Sequence, residues 1–521
     1  MTSSVDYLAE IERLRAQLVE KEVQLQTQSK RLQSQSARID VLEEVVRHLK
    51  IKRFMPSSEK THADQFLLFD EAELCTDPKV EQHEKNKQDQ SKNNSAKPRG
   101  RKPLSSDLPR EQIFLYLTDE QKTGAKSTFF AKVKEELDIV PAKVRVLEYM
   151  QEKAVFDNDD GQSMVAAELP KHPLPGSLGS TSLIAHVITS KYVDGLPLYR
   201  IEKMLRRYGG ELSRATLANY VMKSATVFQP LVNLLREHQN SGDIVAMDET
   251  RIQVLKEPGK SATSDKYMWV SLGGSPTQQS VLFHYDPSRS GDVPVDLLEG
   301  FEGYLQTDGY AGYNAACKQY GLTHVGCMDH ARRMFVEAQK AQPKGKNAKV
   351  SKADIALNTI NKLYRVERQL VELKKKQPKI TAEEIVAYRQ EHSVQLLDEL
   401  KAFLEKNISK CPKDSLTYKA INYTLNQWSK LVVYSGHHEL RISNIMAENA
   451  IRPFVVGRKA WLFADTSQGA KASAVCYSLV ETAKLNGLEP YSYLHTLLTQ
   501  LPYAENLEQI EALLPWNLAK D

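Results

Sequence analysis

The chain has 521 residues, 41% of them hydrophobic and 26% charged, with a formal net charge of +4. That length is too great for one hydrophobic core, so several domains are expected, and the composition excludes a fibrous or wholly disordered protein. No run approaches the roughly eighteen apolar residues of a membrane span, the N-terminus lacks a signal-peptide core, and five scattered cysteines without a CxxC pair point to a reduced cytoplasmic compartment.

Residues 1–52 carry a coiled-coil pattern. Ile11, Leu18, Leu25, Leu32, Ile39 and Val46 recur every seventh residue, with Leu14, Lys21, Gln28, Gln35, Leu42 and Leu49 as the companion seam. A seam polar in its middle costs stability but fixes register, and the predicted role is homo-oligomerisation. Residues 53–103 form a linker whose last part, from Lys92 to Lys102, holds five cations and no acid. So few apolar residues cannot offset ordering entropy, which predicts disorder in isolation. Its PRGRKP run at 98–103 is AT-hook-like, with Arg99 and Arg101 suited to a narrow A·T minor groove. A basic tether making only phosphate contacts fits the same residues.

Residues 104–170 are mixed, with strand-like character near Val144–Tyr149. In 171–240 the pattern turns helical and resembles a helix-turn-helix. Pro197 opens one helix, Gly209 and Gly210 supply the turn, and Ser213 caps a second helix over Leu217–Met222. Arg206, Arg207 and Arg214 give this pair a basic side for DNA, although such helix pairs are also common packing units.

From 241 to 345 the reading is α/β, with strands at Ile244–Met247, Tyr267–Leu272, Val281–Tyr285, Tyr304–Thr307 and Thr323–Gly326, then a helix at Ala331–Ala341. A lysine-rich helical insertion follows at 346–435, with amphipathic stripes through Leu357, Ile360 and Leu363 and through Leu396, Leu400 and Leu404. Residues 436–495 return to the core and include a helix ending near Asn486, where Gly487 makes a good C-cap. Residues 496–521 are left as a C-terminal tail.

Three acids carry the expected chemistry. Asp248 and Asp308 follow strand-like runs, and Glu448 lies on a helix-like stretch. Phosphodiester chemistry needs an activated oxygen nucleophile and charge relief at the leaving oxygen, which two Mg²⁺ ions supply. Hard cations prefer carboxylate oxygens, and Mg²⁺ takes only one or two from protein, so three convergent acids suffice as catalytic and metal ligands, with Mn²⁺ an alternative occupant. Asp248 follows a buried strand, where an uncompensated charge is costly. Glu249 is expected to face the other way. The glycines of the DGYAGYN run at 308–314 are expected to let a nucleic-acid backbone approach. Arg452, Arg458 and Lys459 follow Glu448 as candidate phosphate contacts, and Arg332 and Arg333 follow the CMDH run at 327–330. Within that run Asp329 and His330 either border the site or are structural.

Beyond these residues, a family resemblance runs through most of the chain. The sequence resembles transposases of the insertion-sequence-66 family, a DDE branch with an RNase H-like core. The matching runs are FMPSSEK at 54–60, QFLLFDEAE at 65–73, LPLYR at 196–200, DGYAGYN at 308–314, ENAIRP at 448–453, KLNGLEP at 484–490 and LLPWN at 513–517. The resemblance implies a multidomain α/β protein with an RNase H-like mixed-sheet catalytic core and a helical insertion, preceded by the coiled coil and the helical DNA-binding region. It also implies cleavage at transposon ends and strand transfer to target DNA, with Asp248, Asp308 and Glu448 as the triad. Double-stranded DNA, two small accessory proteins of the same element and a nucleoid-associated location follow from it too. Relatives commonly carry two cysteine pairs in the counterpart of 104–170; none is present here, so no zinc is expected. A transposase-derived DNA-binding protein without catalysis is the alternative, and end binding without Mg²⁺-dependent cleavage distinguishes it.

Overall fold

The computed structural model describes residue 21 and residues 110–518, apart from 140–141, 159–160, 341–350, 412 and 414. The predicted coiled coil (apart from Lys21, which is helical and exposed) and the basic linker with Arg99 and Arg101 lie outside the described residues. No helix among the described residues is long and apolar enough to cross a membrane.

The region before 170 contributes one antiparallel hairpin, β1 (Lys153–Asn158) with β2 (Gly161–Ala166). The expected strand character at Val144–Tyr149 is not realised there; the β-prone run stays outside any ladder. Large apolar side chains such as Ile113, Phe129, Val146 and Met150 are exposed, and edge-to-face contacts of Phe130 with Phe114 and Tyr116 are among the few the region makes.

Three helices follow. α1 (Thr181–Tyr192) starts at Ser180, whose hydroxyl accepts from the Leu183 N–H, and α2 (Leu198–Arg207) starts after Pro197. Gly209, with φ of 85°, makes the turn that a side chain would resist. Ser213 then caps α3, as expected from sequence, but α3 runs to Asn240 rather than stopping near Met222. The reason is packing. Leu217, Val221, Phe228, Leu231 and Leu235 keep the helical apolar stripe going and are buried in the largest core cluster, together with strand residues and C-terminal helices. The helix-turn-helix-like pair is therefore built into the core rather than standing apart from it.

The sheet comprises β3 (Ile244–Lys256), β4 (Lys266–Gly273), β5 (Ser280–Asp286), β6 (Tyr304–Gln306) and β7 (Thr323–Val325) in the order β5-β4-β3-β6-β7. The first three pair antiparallel, while β3–β6 and β6–β7 pair parallel. Strand periodicity divides β3 between two layers. Val245 and Met247 join a cluster with α4 (Asp292–Leu297) and α5 (Tyr313–Tyr320), whereas Ile252 and Val254 face the cluster of α1, α3 and the C-terminal helices.

After α6 (Met328–Lys340) come the insertion helices α7 (Lys352–Lys376) and α8 (Ala382–Ile408), where the amphipathic stripes placed them, and α9 (Leu416–Asn426), for which no stripe was read. They share a second core with α6, through Phe335, Leu357, Ile360, Leu363, Leu400 and Ile421. α10 (Ile445–Trp461), β8 (Phe463–Thr466), α11 (Ser467–Leu485) and α12 (Pro490–Gln500) follow, and a short helix at Leu507–Glu511 comes last among the described residues. Gly487 adopts φ of 77° after α11, the C-cap conformation expected of it. The expected tail is folded in: Leu513 and Leu514 are buried in the main core.

Candidate active site

Asp248 is not at a strand end, as the short apolar run suggested, but the fifth residue of a long strand. β3 continues because β4 pairs with it as far as Ile252 and β8 pairs with Gln253–Lys256. What ends is the parallel pairing: β6 accompanies only Ile244–Ala246. Asp248 thus stands where the sheet opens between β3 and β6, and Asp308 lies two residues beyond the end of β6.

Glu448 enters from above this opening on the first turn of α10, whose start is stitched to the sheet. The Asn444 side-chain amide donates to the Met247 carbonyl at 2.8 Å, and the Asn444 N–H donates to Cys327 Sγ at 3.2 Å. Gln306 of β6 donates to the Arg441 carbonyl at 2.6 Å, and the Met328 N–H to the Ile442 carbonyl at 3.0 Å. The interior of β3, the end of β6, the residues after β7 and the start of α10 are therefore mutually fixed.

The acids lie close enough to act on one another's charge. Burial, with the charges of Glu249, Glu448 and Asp308, pushes the Asp248 carboxyl well above the usual carboxylate range. Its Oδ1 accepts from the Glu249 N–H at 2.9 Å. Asp308 Oδ1 accepts from the Tyr310 N–H at 2.8 Å. Glu448 is 13% exposed; its Oε1 lies 3.8 Å from His330 Nδ1 and 3.9 Å from Cys327 Sγ. Among the described residues, Cys327, His330 and Glu448 are the group whose potential ligand atoms all fall within 4.8 Å. The three acids are half-buried, and carboxylate oxygens are the donors that a hard divalent cation takes.

The other expected contacts divide. Asp329 and His330 part company: Asp329 is buried and accepts from Tyr364 of α7, whereas His330 faces Glu448. Arg332 donates to Asn361 of the insertion at 3.3 Å, and Arg333 is partly buried beside it. Arg458 donates to Thr250 Oγ1 at 3.2 Å, which binds α10 to β3; Arg452 is partly buried and Lys459 exposed. Arg206, Arg207 and Arg214 are exposed, with Arg206 3.5 Å from Glu202.

The glycines after Asp308 have a different use from the one expected. A side chain at Gly309 would meet the Tyr423 hydroxyl at 2.6 Å, and one at Gly312 would meet the Tyr310 ring at 2.2 Å. The protein's own tyrosines fill the space expected for a nucleic-acid backbone. Tyr423 belongs to α9, so the insertion touches the Asp308 loop directly. Asn444, Tyr423 and the partners of Glu249 carried no sequence signal, since each acts through a contact distant in sequence.

The chain is similar to known proteins along most of its length. Residues 176–472 match the family model described as "Transposase IS66 family", residues 478–516 match "IS66 C-terminal element", and residues 41–113 match "Transposase C of IS166 homeodomain". Two uncharacterized proteins of Sinorhizobium fredii (strain NBRC 101917 / NGR234) are similar along most of the chain. One, y4qI, is 31% identical over 81% of this chain and 78% of its own length; the other, y4jD, is 29% identical over 77% and 78%.

Proposed function

Because the chain belongs to the IS66 family of transposases, which implies transposition, we propose that it is a DDE enzyme acting on double-stranded DNA. It cleaves at insertion-sequence ends and transfers the freed 3′-OH strand to target DNA. Asp248, Asp308 and Glu448 form the acidic triad. The observation that carries this reading is the position of Asp248, half-buried at the opening between β3 and β6, with both other acids acting on it electrostatically. The strand order, three antiparallel followed by two parallel, supports an RNase H-like core.

Two Mg²⁺ ions, or Mn²⁺, bound by this triad would polarise the scissile phosphate and activate the attacking oxygen. The chain's own part is positional. β3 supplies a rigid platform for Asp248, the tyrosine-packed loop orients Asp308, and the stitched start of α10 brings Glu448 over them. Cys327 and His330 stand behind Glu448 and restrict its rotamer. No zinc forms part of this reading. Exposed Arg207 and Arg214 offer phosphate contacts away from the acids, and self-association rests on the heptads of residues 1–52.

The decisive experiment uses DNA carrying the element's own ends. Wild-type protein should cleave and join it only with Mg²⁺ or Mn²⁺, while Asp248→Asn and Glu448→Gln should bind the ends and do neither. If either folded variant retained Mg²⁺-dependent strand transfer, the triad assignment would be wrong. End binding by the wild type without any cleavage would instead favour a DNA-binding protein that has lost catalysis.

A further inference from the structure

We propose that Glu249, Arg289, Tyr310 and Tyr313 form a clamp that holds the Asp308 loop against β3 in the register needed for metal binding, an inference that rests on the triad reading above. Neighbouring strand residues face opposite sides, so Asp248 turns to the site while Glu249 turns to the α4–α5 layer. There the Glu249 side chain is only 2% exposed. It accepts from Arg289 Nε at 2.8 Å, from Arg289 Nη2, and from the Tyr313 hydroxyl at 2.5 Å.

Both partners lead back to the Asp308 loop. Tyr313 is the first residue of α5, which follows that loop directly, and its ring packs edge-to-face on Trp269 and Tyr310. The Arg289 guanidinium sits over the Tyr310 ring, 3.9 Å from its centroid, and the Arg289 carbonyl accepts from the Tyr310 hydroxyl. The Tyr310 N–H in turn donates to Asp308 Oδ1. A continuous chain of contacts thus joins the residue after Asp248 to the carboxylate of Asp308. Gly312 belongs to the same device, because a methyl group there would strike the Tyr310 ring and open the clamp.

A buried ion pair is a poor way to add stability, since well-packed apolar residues serve as well or better. What it adds is direction. A carboxylate with two donors on one oxygen and a phenol on the other fixes the loop along defined axes, which apolar contact cannot. With those three bonds committed, Glu249 acts as a positioning residue and not as a metal ligand.

The test uses the full-length protein and two readouts. Mn²⁺ binding without DNA is followed by electron paramagnetic resonance, and Mg²⁺-dependent cleavage of end-bearing DNA gives kcat and the Mg²⁺ half-saturation point. Glu249→Gln and Tyr313→Phe should each weaken Mn²⁺ binding by about fivefold or more and raise the Mg²⁺ half-saturation point by a similar factor. Activity at saturating metal should largely recover, with end binding unchanged. Should Glu249→Gln not fold, Tyr313→Phe carries the test, because it removes one hydroxyl and leaves the ion pair. Folded variants that bind Mn²⁺ like the wild type overturn the clamp, as does a loss of kcat that saturating metal does not restore. If the wild type itself neither cleaves nor loses Mn²⁺ binding on Asp248→Asn, the triad reading fails, and the clamp with it.

Discussion

Asn444 donates its side-chain amide to the carbonyl of Met247 at 2.8 Å, joining the residue before helix α10 to the residue before Asp248. That bond ties the start of Glu448's helix directly to the strand carrying the first aspartate. It is buried, with Asn444 only 1% exposed, so it is not exchanged for water at little cost.

Replacing Asn444 with Ala should therefore do two things. Stability should fall by about 1–3 kcal/mol in urea unfolding, the usual cost of stranding a buried hydrogen-bonding group. Mg²⁺-dependent cleavage should fall by about tenfold or more, because small misplacements of reacting groups are costly, while end binding holds. Cleavage at the wild-type rate would show that the α10 register does not depend on this bond.

Asp248 should destabilise the metal-free fold at neutral pH. Burial and its acidic neighbours raise its folded pKa above the ordinary value of 3.8. A carboxyl raised in this way binds more protons folded than unfolded. Its contribution is complete below the unfolded pKa and is lost as pH rises through the folded one. Asp248→Asn should thus melt higher than the wild type in chelator near neutral pH, and the advantage should shrink towards about pH 4. Mg²⁺ should raise the wild-type melting temperature and leave the variant unmoved. A variant that melts lower than the wild type in chelator would contradict this.

The outer edge of β5 is sealed by α11 rather than by another strand. Thr482 Oγ1 accepts from the Val281 N–H and donates to the Val281 carbonyl, both at 3.0 Å, and Ser478 Oγ accepts from the Phe283 N–H at 2.8 Å. Thr482→Val keeps the shape and deletes the hydroxyl, so it should cost about 1–3 kcal/mol in urea unfolding. It should also promote aggregation on partial unfolding, because an unpaired edge recruits other strands. Thr482→Ser should recover most of the loss.

Arg207 and Arg214 flank the turn between α2 and α3 and are exposed. If they contact phosphates, the double change to Ala should weaken end binding and reduce the slope of log affinity against log salt by about two. An unchanged salt slope would leave this helix pair with a packing role alone.

Much of this protein was written locally. The short apolar, β-rich runs at 244–247, 267–272 and 281–285 became strands close to where they were read, because such runs bounded by turn residues suit strands buried on both faces. Ser213, Gly209 and Gly487 marked helix ends through their own backbone and side-chain chemistry. The insertion helices followed from their stripes, and the triad acids were visible as charges placed against buried runs. Tertiary structure decided the rest. α3 ran on to Asn240 because a core continued to accept its apolar face, and β3 ran past Asp248 because β4 and β8 offered partners there. Glu249, Asn444 and Tyr423 gained their roles from residues far away in sequence, and the glycines after Asp308 from tyrosine rings that fold back on them. Local pattern determines which residues must be buried or capped; only the closed packing determines which distant group each of them meets.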